Sequence, residues 1–334
     1  MTALVRRESG LDRRSTVVVA ALVLVTSALV VLSVGTGDYE MSPGEVLATL
    51  AGSGTKAQYL VVMGRLPRVL VAILVGAALA LAGAIFQTVT RNPLGSPDVI
   101  GFTTGSATGG IVTLLFFGGG PGVVSLGALA GGLVTALVVM ALCAPHGLLS
   151  SRLVLLGIAV SAVLGGVNAY LLVKANLEAA AEAVGWLVGD LSGRDWTYFV
   201  PLAVVMAVLV PIVFANGRAL RMLEMGDDTA IGIGVDVPRV RLILVLVAVA
   251  LVAAATAATG PLQFIALAAP QLARRMTRLP GPNLVASAFV GATLVVAADY
   301  VGQRLLESSL LPAGVVAAAL GGVYLLWLLL RRRA

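Results

Sequence analysis

Charge is scarce in this chain. Of its 334 residues only 11% are Asp, Glu, Lys or Arg, against roughly 25% in a soluble domain, which excludes a water-solvated globule. Cysteine is nearly absent. Cys143 alone forbids an internal disulfide, and its apolar surroundings in sequence mark it as packing. One histidine, His146, follows Pro145 in a short loop; a lone imidazole excludes a histidine-based metal centre, and no His/Cys/Asp cluster replaces it. The dipeptide Gly-Lys never occurs, so the G-x-x-x-x-G-K-[ST] phosphate cradle is missing and ATP hydrolysis by that route is excluded. No Ser/His/Asp set points to covalent catalysis. The long apolar runs hold few ionisable groups, whereas an ion-coupled transporter keeps such groups deep in its spans. Asp98 and Asp299 fall near span ends and read as helix-end or capping groups.

What is present is apolar length. Hydrophobic residues make up 59% of the chain, with a mean hydropathy of +1.03. A membrane-crossing helix needs about 20 mostly apolar residues. Runs such as 17–34 and 242–255 do not alternate apolar with polar, so helices and not barrel strands are expected. Ten spans are predicted, at about 16–35, 60–89, 98–117, 122–144, 152–173, 196–215, 239–258, 262–273, 284–302 and 311–330. The eighth is short, bracketed by Pro261 and interrupted by Pro270. A further piece, 177–189, reads as a surface amphipathic helix. The fold class is therefore an all-α integral membrane bundle, a single domain over 1–334.

The basic start of the chain reads as a cytoplasmic tail before a retained first helix, since no small-residue cleavage site ends the run. With both termini inside, 16 basic residues face the cytosol and 6 face out (Lys56, Arg65, Arg68, Lys174, Arg194, Arg304). That asymmetry orients the protein in the cytoplasmic membrane and explains its high pI without nucleic acid. Gly76, Ala80 and Ala84 recur at helix-packing spacing, as do Gly127 and Gly131, and Gly157, Ser161 and Gly165.

Two polar segments stand out. The inner turn RNPLGSPD (91–98) is forced out of helix by two prolines and a glycine, with Asn92 and Pro93 as its structural start. The insert at 216–238 carries Glu224, Asp227, Asp228 and Asp236 between apolar runs. Gly226 is expected to stop one short helix and Asp227-Asp228 to cap a second, Thr229–Ile233. Such a pair would form a compact cytoplasmic knob.

RLPRVLVAILVGAALALAGAIFQTVTRNPLGSPDVIGFTTGS (65–106), EMGDDTAIGIGV (224–235), GPLQFIALAAPQLARR (260–275) and LPAGVVAAALGGVYLLWLL (311–329) resemble, in order, the blocks of the FecCD-type permeases, the membrane subunits of ABC importers for iron-siderophores and vitamin B12. The resemblance implies a ten-helix bundle of the type II importer kind. It implies a second permease, a paralogue forming a heterodimer; two copies of an ATPase that hold ATP and magnesium; and an extracytoplasmic binding protein. The cargo implied is a ferric chelate, a siderophore of catecholate type. No cofactor would belong to this chain, and it would not be an enzyme. The coupling loop would be Arg221, Glu224, Met225, Gly226, Asp227, Asp228, Ala230 and Gly232. Arg65, Arg68 and Arg304 would meet the binding protein, Ser150 and Ser151 would form the cytoplasmic gate, and Gly165 and Asn168 would line the path. Two departures from the family pattern are Gln271, where the family has Pro-His, and Leu310, where an acid is frequent. Within the family the alternative is a permease for vitamin B12 or heme; an ion-coupled secondary transporter is the alternative of another class, and it would show paired intramembrane charges and no structured loop.

Overall fold

In the computed structural model, residues 13–37, 39–98, 100–118, 120–143, 150–305 and 311–331 are described. They form fourteen helices and no strand. Helix α1 (Arg13–Gly35) is followed by a short surface helix α2 (Pro43–Leu50) that the apolar pattern does not signal. A local device forms it. Pro43 opens the helix, Ser42 accepts from the Glu45 amide, and the Glu45 carboxylate returns to the Ser42 amide at 2.8 Å.

Helix α3 (Lys56–Val89) is the central post. Its 34 residues span roughly 51 Å, longer than a hydrocarbon core of about 30 Å. A second capping box, Thr55 with Gln58, starts it four residues before the apolar run. Then come α4 (Phe102–Phe117), α5 (Pro121–Cys143), α6 (Ser150–Lys174), the amphipathic α7 (Leu177–Leu187) and α8 (Trp196–Ala215). The polar insert forms α9 (Gly217–Glu224) and α10 (Asp227–Gly232). Helices α11 (Val237–Thr259), α12 (Ile265–Thr277), α13 (Leu284–Gly302) and α14 (Ala313–Arg331) complete the bundle.

Small residues set the packing. A Cβ on Gly76 would collide with the Gly291 carbonyl, and one on Gly83 with that of Ala266, so α3 lies backbone-close to α13 and α12. Gly127 and Gly131 meet Gly109 and Gly105 in the same way, which fastens α5 to α4. In lipid, where burying apolar surface gains little, such close approach supplies the dispersion contact that holds helices together.

Among the described residues, seven helices are long and apolar enough to cross a membrane, three fewer than the ten expected. Helix α4, at 16 residues, is short because the 91–101 turn dips into the bundle before it. The predicted eighth span is displaced: 260–264 is non-helical, and the 13-residue α12 carries Arg274 and Arg275 in its last turn, so it is amphipathic. His146, Leu310, Arg6 and Arg7 lie outside the described residues.

Candidate functional site

The knob is the first site. Helix α9 turns Leu220 and Leu223 inward and Arg218, Arg221 and Glu224 outward. Gly226 separates α9 from α10 at φ 110°, ψ 152°, a conformation open in practice only to glycine. Asp227 and Asp228 are not its caps. Gly226 is the N-cap residue of α10, which spans Asp227–Gly232 and not 229–233. The Asp227 side chain is drawn elsewhere, between two guanidiniums: Arg241 at 2.8 and 3.0 Å, and Arg91 at 3.2 Å. These arginines come from α11 and from the 91–98 turn, so one carboxylate ties the knob to two parts of the bundle. Ala230 is fully buried beneath α10, while Met225, Ile231 and Ile233 are exposed. The outward face thus combines apolar side chains with Arg221, Glu224 and Asp228. Asp236 accepts from the Arg239 amide at 3.2 Å and ends the knob by capping α11.

The 91–98 turn is the second site. Arg91 adopts a left-handed backbone, φ 48°, and the Asn92 side chain accepts from the Leu94 amide at 2.9 Å. Gln271 donates from Nε2 to the Pro93 carbonyl at 2.7 Å. Buried Gln87 donates to the Leu267 carbonyl at 2.9 Å and accepts from Arg274. Two amides therefore clamp the turn and the end of α3 to α12. The sequence reading missed Gln87; a lone amide inside an apolar run was its signal.

Beyond this turn opens a chamber of about 490 Å³, lined by Ser96, Asp98, Thr103, Asn168, Gln263 and Phe264 among others. Asp98 accepts from the Thr103 hydroxyl at 2.5 Å, so it secures the start of α4 by a side chain and not as the N-cap, which is Gly101. Its Oδ2 and the Asn168 Oδ1 are buried without a hydrogen-bond partner among the described residues. Gly165, on the same helix as Asn168, has no neighbouring atom within contact of a Cβ and lies on an uncovered face of α6. Ser150 and Ser151 open α6, and their side chains lie outside the described residues.

The third group is at the end opposite the knob. Arg68 is not presented outward. Its guanidinium forms a bidentate pair with Asp299 at 2.8 and 3.1 Å, with the carboxylate buried and Gln303 donating to it at 2.8 Å. Asp299 is accordingly no helix cap but half of a buried ion pair joining α3 to α13. A paired charge does exist in this bundle, close to the helix ends. Arg65 donates to the carbonyls of Val34 and Tyr39 at 2.8 and 3.0 Å. Arg304 stacks 3.7 Å over the Tyr300 ring and is exposed. Among the described residues there is no group of three or more His, Cys, Asp or Glu side chains able to hold a metal ion.

The FecCD transport family matches residues 23–331. The ferric enterobactin transport system permease protein FepG of Escherichia coli is 43% identical over 94% of this chain and 96% of its own length. The Fe(3+)-citrate import system permease protein YfmE of Bacillus subtilis is 36% identical over 95% and 96%. A solved chain of a metal-chelate-type ABC transporter in an inward-facing conformation superposes with TM-score 0.83 at 26% identity, covering 94% of this chain and 99% of that one.

Proposed function

The chain belongs to the FecCD transport family, and from that premise we propose that it is the membrane-spanning permease subunit of an ATP-driven, binding-protein-dependent importer of a ferric siderophore of the catecholate, enterobactin-like type. The observation that carries the reading is the knob: a braced two-helix projection whose outward face offers Met225, Ile231 and Ile233 amid charge. A helical face of that composition suits a groove on a separate protein, here the ATPase that holds ATP and magnesium.

Hydrolysis in the partner would tilt α9 and α10. Asp227 would carry that tilt to Arg241 on α11 and to Arg91 at the start of the 91–98 turn. Gln271 would pass it to α12, which lines the chamber. Ten crossings would be counted by adding α14 and the two short members α4 and α12. Both termini and the knob would be cytoplasmic, in the inner membrane, with Ser150 and Ser151 at the cytoplasmic gate. The path would lie between this chain and a paralogous second permease, along Gly165 and Asn168. At the outer face Arg304, and Arg65 if released from its carbonyls, would meet acids of the binding protein; Arg68 is held by Asp299 and would serve the fold.

The test is reconstitution of the chain in liposomes with the second permease, the ATPase and the binding protein. Ferric enterobactin should enter only with ATP. Uptake driven by an ion gradient without nucleotide would overturn the reading.

A further inference from the structure

The ends of α5, α8 and α11 farthest from the knob enclose a groove of about 360 Å³ that shares no lining residue with the chamber. Its walls include Leu126, Leu129, Tyr198, Leu202, Val205 and Ala258. The lining on α8 runs from Thr197 to Val205, roughly 12 Å at 1.5 Å per residue. A single leaflet's hydrocarbon is about 15 Å deep. The groove therefore has the depth of one acyl chain and the composition to hold it.

Its rim carries a fixed cation. The Arg194 guanidinium stacks 4.4 Å over the ring of Tyr198, which itself lines the groove. Arg194 Nε donates to the Asp190 carbonyl at 3.3 Å, and Arg194 enters no ion pair among the described residues. Two acids lie nearby, and both are turned into their own loop. Asp190 accepts from the Ser192 amide and hydroxyl at 3.0 Å. Asp195 accepts from the Thr197 hydroxyl at 2.5 Å and from its amide at 2.9 Å, bonds that hold its carboxyl below the usual range. Beside them Trp196 is exposed and meets Phe199 edge-on at 5.4 Å, a pairing suited to the level where lipid headgroups meet hydrocarbon.

We propose that this groove is a binding site for an anionic glycerophospholipid, one acyl chain lying between α5, α8 and α11 and the headgroup phosphate seated on Arg194. Three walls and a fixed charge distinguish it from the general lipid boundary. The site is independent of the coupling knob and of the cargo.

The assembled transporter would be placed in nanodiscs of phosphatidylcholine with a minor fraction of phosphatidylglycerol, and the lipids retained after extraction counted by native mass spectrometry. One phosphatidylglycerol per copy of this chain is expected for the native protein and for Arg194→Lys. Arg194→Glu should lower retention about tenfold, and Ala257→Phe, which fills the groove, should abolish it. Equal retention in all four proteins, or phosphatidylcholine held as firmly as phosphatidylglycerol, would overturn the site. So would a photoreactive group at Leu126 that attaches to a protein subunit and not to lipid. Unchanged ATPase activity and elution of Arg194→Glu separate lost lipid from lost fold.

Discussion

Two aspartates show how differently one residue type can be used. Asp299 is buried and paired with Arg68 and Gln303. Removing one partner of such a pair strands the other charge, at a cost of about 3 kcal/mol or more. Asp299→Ala should therefore lower the melting temperature of the purified chain by several degrees, while any protein that does fold keeps partner-dependent ATP hydrolysis. Asp227 sits in a wetter place, with Arg91 half exposed, so solvent screens part of its contribution. Asp227→Asn should cost little stability yet uncouple the transporter, lowering ferric-chelate uptake in liposomes more than ATP turnover. A parallel fall in both would place Asp227 in folding alone. Neither pairing could be read along the chain. Arg68 and Asp299 are 231 residues apart, and Asp227 lies 136 residues from Arg91 and 14 from Arg241, beyond the reach of a helix turn in each case. An acid at a helix end suits a cap by local rules, and only the fold supplies the competing cation.

At the scale of the element, what the sequence reveals depends on whether the shaping force is local. The knob's two helices, the 91–98 turn and the surface helix α7 are all visible, because glycine, proline and a polar cap act within a few residues. Helix α2 is equally local, and the Ser-Pro-Gly-Glu run at 42–45 states its capping box; an apolar-run search passes over it because eight residues cannot cross a membrane. Its acid dependence follows. The Ser42 amide and hydroxyl hold the Glu45 carboxyl below its usual range. A lowered folded-state value means the contribution is present above the unfolded pKa and lost as pH falls through the folded one. Protection factors at α2, corrected for the pH dependence of intrinsic exchange, should fall on acidification, and Glu45→Gln should show the lower protection already at neutral pH. The start of α12 was misplaced for the opposite reason. Residues 260–264 are apolar enough to extend the helix, but Gly260 at φ 74° and Phe264 at φ 67° break it, and tertiary packing imposes that break. Gly226 is the hinge most open to test. Alanine at its φ of 110° costs about 1–3 kcal/mol of strain, so Gly226→Ala should misdirect α10 and reduce binding of the ATPase in a pull-down, with Gly185→Ala, in open space on α7 and away from the knob, as the control.

Across the whole molecule the helices divide by how much of each the chain covers. The apolar windows of α3 and α11 are 78% and 72% buried, while those of α6 and α8 are 11% and 17%. A membrane helix left so bare meets either lipid or another subunit, and composition does not distinguish them, since both neighbours are apolar. Two features separate α6 from α8. Helix α6 brings Asn168 to a polar chamber, with its oxygen unpartnered, and it presents Gly165 and Gly166 with nothing opposite them. A small-residue face beside a polar cavity suits a close helix crossing from a second permease, whereas α8 borders the apolar groove. The chain carries a convenient background for asking which neighbour is real, because its only cysteine, Cys143, is buried. Gly165→Cys should react with a membrane-permeant maleimide in the isolated chain and become protected once the second permease is bound. A cysteine at Val204 on α8 should stay reactive in both states. If Gly165→Cys labels at the same rate with and without the second subunit, α6 faces lipid, and the translocation path must be sought elsewhere in the bundle.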